Sequence, residues 1–107
     1  MDIEQLRDYC LQKPGAEEGF PFGDDTLVFK VNKKIFLLAS LDEQPLQFNV
    51  KCAPQKALEL REEYPAILPG YHKNKKHWNT VMVDGSVPSN LLREMIDDSY
   101  QLVSNKK

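Results

Sequence analysis

The sequence has no apolar run long enough for a bilayer. Nothing in its 107 residues approaches the roughly 20 consecutive apolar positions a spanning helix needs. Cysteine is scarce: Cys10 and Cys52 form neither a CxxC pair nor a disulfide ladder. That excludes a disulfide-built scaffold and a cysteine-rich zinc module, and both thiols read as small, reduced core hydrophobes. The opening "MDIEQLRDYC" carries early acids and no apolar signal core, so no secretion signal is expected and a cytoplasmic location is. No phosphate-cradling glycine loop, dinucleotide fingerprint or Ser/His/Asp order occurs, so catalysis is not expected and no cofactor is implied.

Negative charge is missing from two long stretches. Residues 26–41 hold Lys30, Lys33 and Lys34 without an acid, and residues 64–83 hold Lys73, Lys75 and Lys76 without an acid. Neither stretch contains an arginine. The chain's formal charge is −2, yet these two segments carry +6 and the remainder −8. Average charge is therefore a poor guide to partners, and a local positive field forms if the two segments meet in space.

Along the chain, Asp2 and Gln5 have capping-box spacing, and Ile3, Leu6, Tyr9 and Cys10 share a helical face. "KPG" at 13–15 ends that helix. "AEEGFPFGDD" reads as a loop whose acids diverge into water and whose Phe20 and Phe22 plug the edge of the core. "TLVFKV" and "KIFLLAS" are strands joined at Asn32–Lys33, a tight turn because asparagine tolerates positive φ. "LQFNVKC" alternates, with Leu46, Phe48, Val50 and Cys52 inward and Gln47, Asn49 and Lys51 outward. Pro54 opens a second helix with Ala53, Ala57, Leu58, Leu60 and Tyr64 on its apolar side. "PAILPG" is a connector. "YHKNKKHWNTVMV" is a short strand, a turn around Asn74–Lys75 and a longer strand to Val83. Pro88 opens a third helix with an apolar stripe through Leu91, Leu92, Met95, Ile96, Ser99, Leu102 and Val103. The pattern is one α+β domain over residues 1–107: a two-layer α-β(3)-α-β(2)-α arrangement, an antiparallel sheet with helices packed on one face.

The stretches "KPGAEEGFPFG", "LVFKVNKKIF", "LREEYP", "PGYHKNKKHWNTV", "DGSVP" and "LLREMIDDSY" resemble the MmcQ/YjbR family, in the family's order and across nearly the whole chain. The resemblance implies the compact fold just described, similar to secretion chaperones and more loosely to bacterial frataxins. It also implies a double-wing DNA-binding role, with the wings at the hairpin around Asn32–Lys34 and the turn around Asn74–Lys76. These are the acid-free lysine segments.

Three readings follow for partners. In the first, DNA phosphates attract Lys30, Lys33, Lys34, Lys73, Lys75 and Lys76. His72, Asn74, His77 and Asn79 donate to phosphate or base edges, Tyr71 or Trp78 stacks on an unpaired base, and two hairpins straddle a duplex. Missing arginines and a pI near 5.6 point to modest, salt-sensitive, weakly specific binding. Against this, Trp78 reads first as a packing anchor, and His72 and Asn79 as groups satisfying the backbone near a turn. In the second reading, the open sheet face holds a protein partner, as a monomer or weak homodimer. The third, a metal site at His72 and His77 or along Asp2, Glu4 and Asp8, lacks further ligands or is offset by Arg7, so no metal is expected.

Overall fold

Asp2 starts the first helix as the spacing predicts. Its carboxylate accepts from the Gln5 amide at 2.8 Å while the Asp2 amide donates to the Gln5 side chain at 3.0 Å. In this computed structural model, which describes residues 1–70 and 76–104, the elements run α1 (Ile3–Leu11), β1 (Glu17–Gly19), β2 (Thr26–Val31), β3 (Lys34–Ser40), β4 (Gln47–Lys51), α2 (Pro54–Glu63), β5 (Ile67–Pro69), β6 (Trp78–Met82) and α3 (Ser89–Ser104). The sheet is antiparallel throughout, in the order β1-β2-β3-β4-β6-β5. The α+β class with helices on the sheet holds.

Two strands lie where the sequence reads as loop or connector. Glu17–Gly19 pairs with β2 at one edge of the sheet, and Ile67–Pro69 pairs with β6 at the other; the short strand expected at the start of "YHKNKK" lies outside the described residues. Both are three residues long, too short to show alternation, and both sit at sheet edges, where proline is tolerated. Phe20 and Phe22 are 50% and 59% exposed rather than edge plugs, and Leu58 and Leu102 also face solvent.

Strand parity divides the sheet into two faces. Leu27, Phe29, Val31, Leu37, Ala39, Phe48, Val50 and Val81 join Leu6, Cys10, Ala57, Leu60, Leu92, Met95 and Ile96 in one buried core under the helices. Phe36 meets Phe29 and Tyr100 at ring-centroid distances of 6.3 and 5.4 Å. It enters this core because β3 bulges there: Phe29 pairs with Leu37 and Lys30 with Ile35, so Phe36 is skipped and points inward beside Leu37.

Just past the last β3–β4 pair, Leu37–Val50, α3 bridges the two strands. The fully buried Ser99 hydroxyl donates to the Phe36 carbonyl at 2.5 Å and accepts the Lys51 amide at 2.8 Å. Ion pairs lock the helices to one another. Asp97 takes the Tyr9 hydroxyl at 2.7 Å and the Lys13 ammonium, which lies 4.8 Å from the Tyr9 ring centre. Lys56 reaches Glu94 at 2.7 Å and Asp98 at 2.6 Å. Replacing Ser99 with alanine strands a buried carbonyl and a partly buried amide. The expected loss is about 1–3 kcal/mol in urea unfolding, with the larger figure if no water enters; an unchanged midpoint would show that the bridge contributes nothing.

Candidate nucleic-acid interface

The β2–β3 turn contains only Asn32 and Lys33, since Val31 pairs with Lys34. Both turn residues have positive φ, 53° and 66°, the backbone that hairpin twist selects and that Asn-Gly usually supplies. Lysine at the second position lacks glycine's freedom there. The turn thus holds a cation where the backbone alone prefers none.

Antiparallel order then fixes where the second lysine segment begins and ends. β2 runs toward the Asn32–Lys33 turn, β3 away from it, β4 toward it and β6 away from it. The start of β6 and the end of β5 therefore lie at the same end of the sheet as the β2–β3 turn. Between the two hairpins the four strand axes β2, β3, β4 and β6 are separated by three ladder spacings, about 14 Å. Tyr71, His72, Lys73, Asn74 and Lys75 lie outside the described residues.

Of the remaining candidates, Lys33, Lys34 and Lys76 are exposed, and Lys30, His77 and Trp78 are half-buried. Asn79 is corrected: it is 0% exposed, on the helix face, and accepts from Arg61 Nε at 2.7 Å, so it cannot reach a base edge. Its Nδ2 has no hydrogen-bond partner. Trp78 is also corrected, because it stands on the helix-free face outside the hydrophobic core rather than anchoring it. Its backbone is tightly held: the Gly70 amide donates to the Trp78 carbonyl at 2.9 Å, and a Cβ on Gly70 would come within 2.9 Å of the Trp78 Cβ. The His77 carbonyl accepts the Cys52 amide at 2.6 Å, which extends the β4–β6 ladder.

Lys51 is the residue that sequence reasoning missed. It is the direct cross-strand partner of Trp78 and places a cation between the two hairpins. Its outward direction is legible in "LQFNVKC", but its neighbours are not, because they come from segments far apart in the chain. No ion pair engages Lys30, Lys33, Lys34 or Lys51 among the described residues; the ion pairs found there use Arg7, Lys13 and Lys56. Glu17 is the carboxylate opposite Lys30 in the register.

Elsewhere the chemistry is quiet. Burial pushes the Cys10 thiol up to about 12 and raises Cys52 too, so both stay protonated and unreactive. Among the described residues no three His, Cys, Asp or Glu side chains group as metal ligands, and no helix is long and apolar enough to cross a membrane. At the opposite end of the sheet an open groove of about 690 Å³ is lined by Phe20, Leu27, Leu41, Pro45, Leu46 and Val83.

Comparison with known proteins matches residues 11–102 to the YjbR family model. The chain belongs to the YjbR family. Its relatives include the uncharacterized protein YbdF of Escherichia coli O157:H7, 42% identical over 100 residues covering 94% of this chain and 82% of that protein. YjbR of Escherichia coli K12 is 34% identical over 105 residues, covering 98% and 89%. Among solved structures, Deinococcus radiodurans protein DR2400 superposes with a TM-score of 0.94 at 44% identity, covering 98% of this chain and 80% of that one. A Pseudomonas syringae protein superposes with a TM-score of 0.82 at 28% identity, over 96% and 99%. The YjbR fold is thus shared over essentially the full chain.

The turn geometry yields a prediction. Lys33→Gly relieves the positive-φ lysine and should stabilise the domain by about 0.5–1 kcal/mol, the left-handed penalty less glycine's extra chain entropy. Thermal and urea unfolding check this, and a destabilised variant would mean that the Lys33 side chain contributes contacts outweighing its backbone cost.

Proposed function

We propose that this YjbR-family protein is a non-enzymatic nucleic-acid-binding module, with DNA as its ligand, that grips phosphates through the basic end of its sheet. The observation carrying the reading is the side of the sheet at which the two lysine segments emerge. Antiparallel order puts the Asn32–Lys33 turn and the entry to β6 at one end, with Lys51 between them and no described ion pair on Lys30, Lys33, Lys34 or Lys51. Lysine ammonium groups at that end attract phosphate by charge and by release of condensed counterions, without reading sequence. Arg61 bonds to Asn79 and the Trp78 carbonyl, so it is committed to the fold rather than to guanine recognition.

A protein-interaction role is the second reading. What favours it is the groove at the far end, where Phe20 and Leu41 are 50% and 37% exposed. On this reading the groove, rather than the open sheet face, is the surface that supports a protein partner.

The test is fluorescence anisotropy of a labelled mixed-sequence oligonucleotide, as single strand and as duplex, across several salt concentrations. Wild-type affinity should fall linearly on a log–log salt plot. Replacing Lys33, Lys34, Lys75 and Lys76 together with alanine should flatten the slope by about 0.7–0.9 per phosphate contact removed. An unaltered slope in a folded variant would remove the hairpins from the mechanism.

A further inference from the structure

We infer that the nucleic acid taken by this site is single-stranded, laid across the helix-free sheet face along the row Lys30, Ile35, Lys51 and Trp78 with a base stacked on Trp78, rather than a duplex straddled by two wings. The inference rests on the nucleic-acid reading above and narrows its ligand.

The first ground is the shortness of the wing. Beyond the Lys30–Ile35 pair the β2–β3 hairpin continues for only one further pair, Val31–Lys34, and a two-residue turn. A projection of that length presents its charge almost level with the sheet and cannot reach around a duplex, whose major groove alone is about 12 Å wide. Among the described residues β3 and β4 fill the space beside it as far as Lys51, and the Cys52 amide continues the ladder to His77.

The second ground is the order of side chains across the row. The β3 bulge turns Phe36 inward and leaves Ile35 on the helix-free face, next to Lys30 in register. Lys51 and Trp78 are paired directly. Reading from β2 to β6, the row is cation, aliphatic, cation, aromatic, and all four side chains are half-buried. Such a surface offers ammonium groups to a backbone and flat apolar area to unstacked bases. A paired duplex has its bases stacked on each other and offers none to the indole. Lys33, Lys34 and Lys76 stand at the end of the row and extend the positive field. Among the described residues Glu17, beside Lys30 at the sheet edge, is the carboxylate paired with the row in register, and it limits the path on that side.

The chain has a single tryptophan, so its intrinsic emission reports Trp78 in the unmodified protein. Titration with a mixed-sequence single-stranded DNA should quench that emission in parallel with binding by anisotropy. The matching duplex should bind more weakly, by roughly five- to 150-fold, the range one stacked base is worth, and leave the emission nearly unchanged. Lys51→Met should lower the single-strand salt slope by about 0.7, and Glu17→Gln should tighten binding, with melting curves confirming that both variants fold. Duplex binding as tight as single-strand binding, or single-strand binding without change in Trp78 emission, overturns this inference while leaving the wider reading intact. No salt-dependent binding of either form overturns the wider reading itself.

Discussion

The pairing of β6 with β4 is the constraint on which the rest of the structure depends. Five cross-strand pairs from Gln47–Met82 to Lys51–Trp78 set β6 antiparallel to β4. Phe48 opposite Val81 drives this register from the core side, and the buried Thr80 hydroxyl donating to Asn49 at 2.5 Å pins it from the other face. A slip of one residue would put Asn49 and Thr80 under the helices and Phe48 and Val81 outside, so the register is strongly specified. Because β6 runs away from the end where β2 turns, the start of β6 at Trp78 lies at the same end of the sheet as "VNKK", and Lys51 falls between them.

The helix layer keeps several of its own charges occupied. Arg7 binds Glu18, Lys13 binds Asp97, and Lys56 bridges Glu94 and Asp98. The Arg7 guanidinium holds Glu18 below the ordinary carboxylate range, and hydrogen bonds from Lys56 to Asp98 and Glu94 hold the lysine above its usual value. Four carboxylates are thereby occupied, while among the described residues no ion pair engages Lys30, Lys33, Lys34 or Lys51. An overall charge of −2 conceals this polarity.

Most of the fold is legible in the sequence because its signals are local. The Asp2–Gln5 box, the Asn32 turn, Pro54 at the start of α2 and the α3 stripe each lie within a few residues. The misread parts depend on distant partners. Glu17–Gly19 and Ile67–Pro69 are strands only because β2 and β6 offer them an edge. Leu58 and Leu102 widen an apolar stripe in sequence but point off the core in space, and Phe20 and Phe22 stay exposed. The site divides in the same way. Lys33 and Lys34 are visible as an acid-free turn, but Lys51 becomes part of it through cross-strand pairing. Asn79 leaves it because Arg61 of α2 claims its carbonyl oxygen. The role of Ser99 also escapes sequence reading, since a serine in an apolar stripe says nothing about a bulge 63 residues away.

The most direct test of the basic end as the binding surface is a backbone-amide NMR titration of the intact protein with single-stranded DNA at low salt. The account predicts that shifts concentrate at Lys30, Lys33, Lys34, Lys51, His77 and Trp78 and fade as salt rises, while α1 and the groove near Phe20 and Leu41 stay unmoved. Shifts centred on that groove or on the helix layer, with the β2–β3 turn and Lys51 silent, would contradict it.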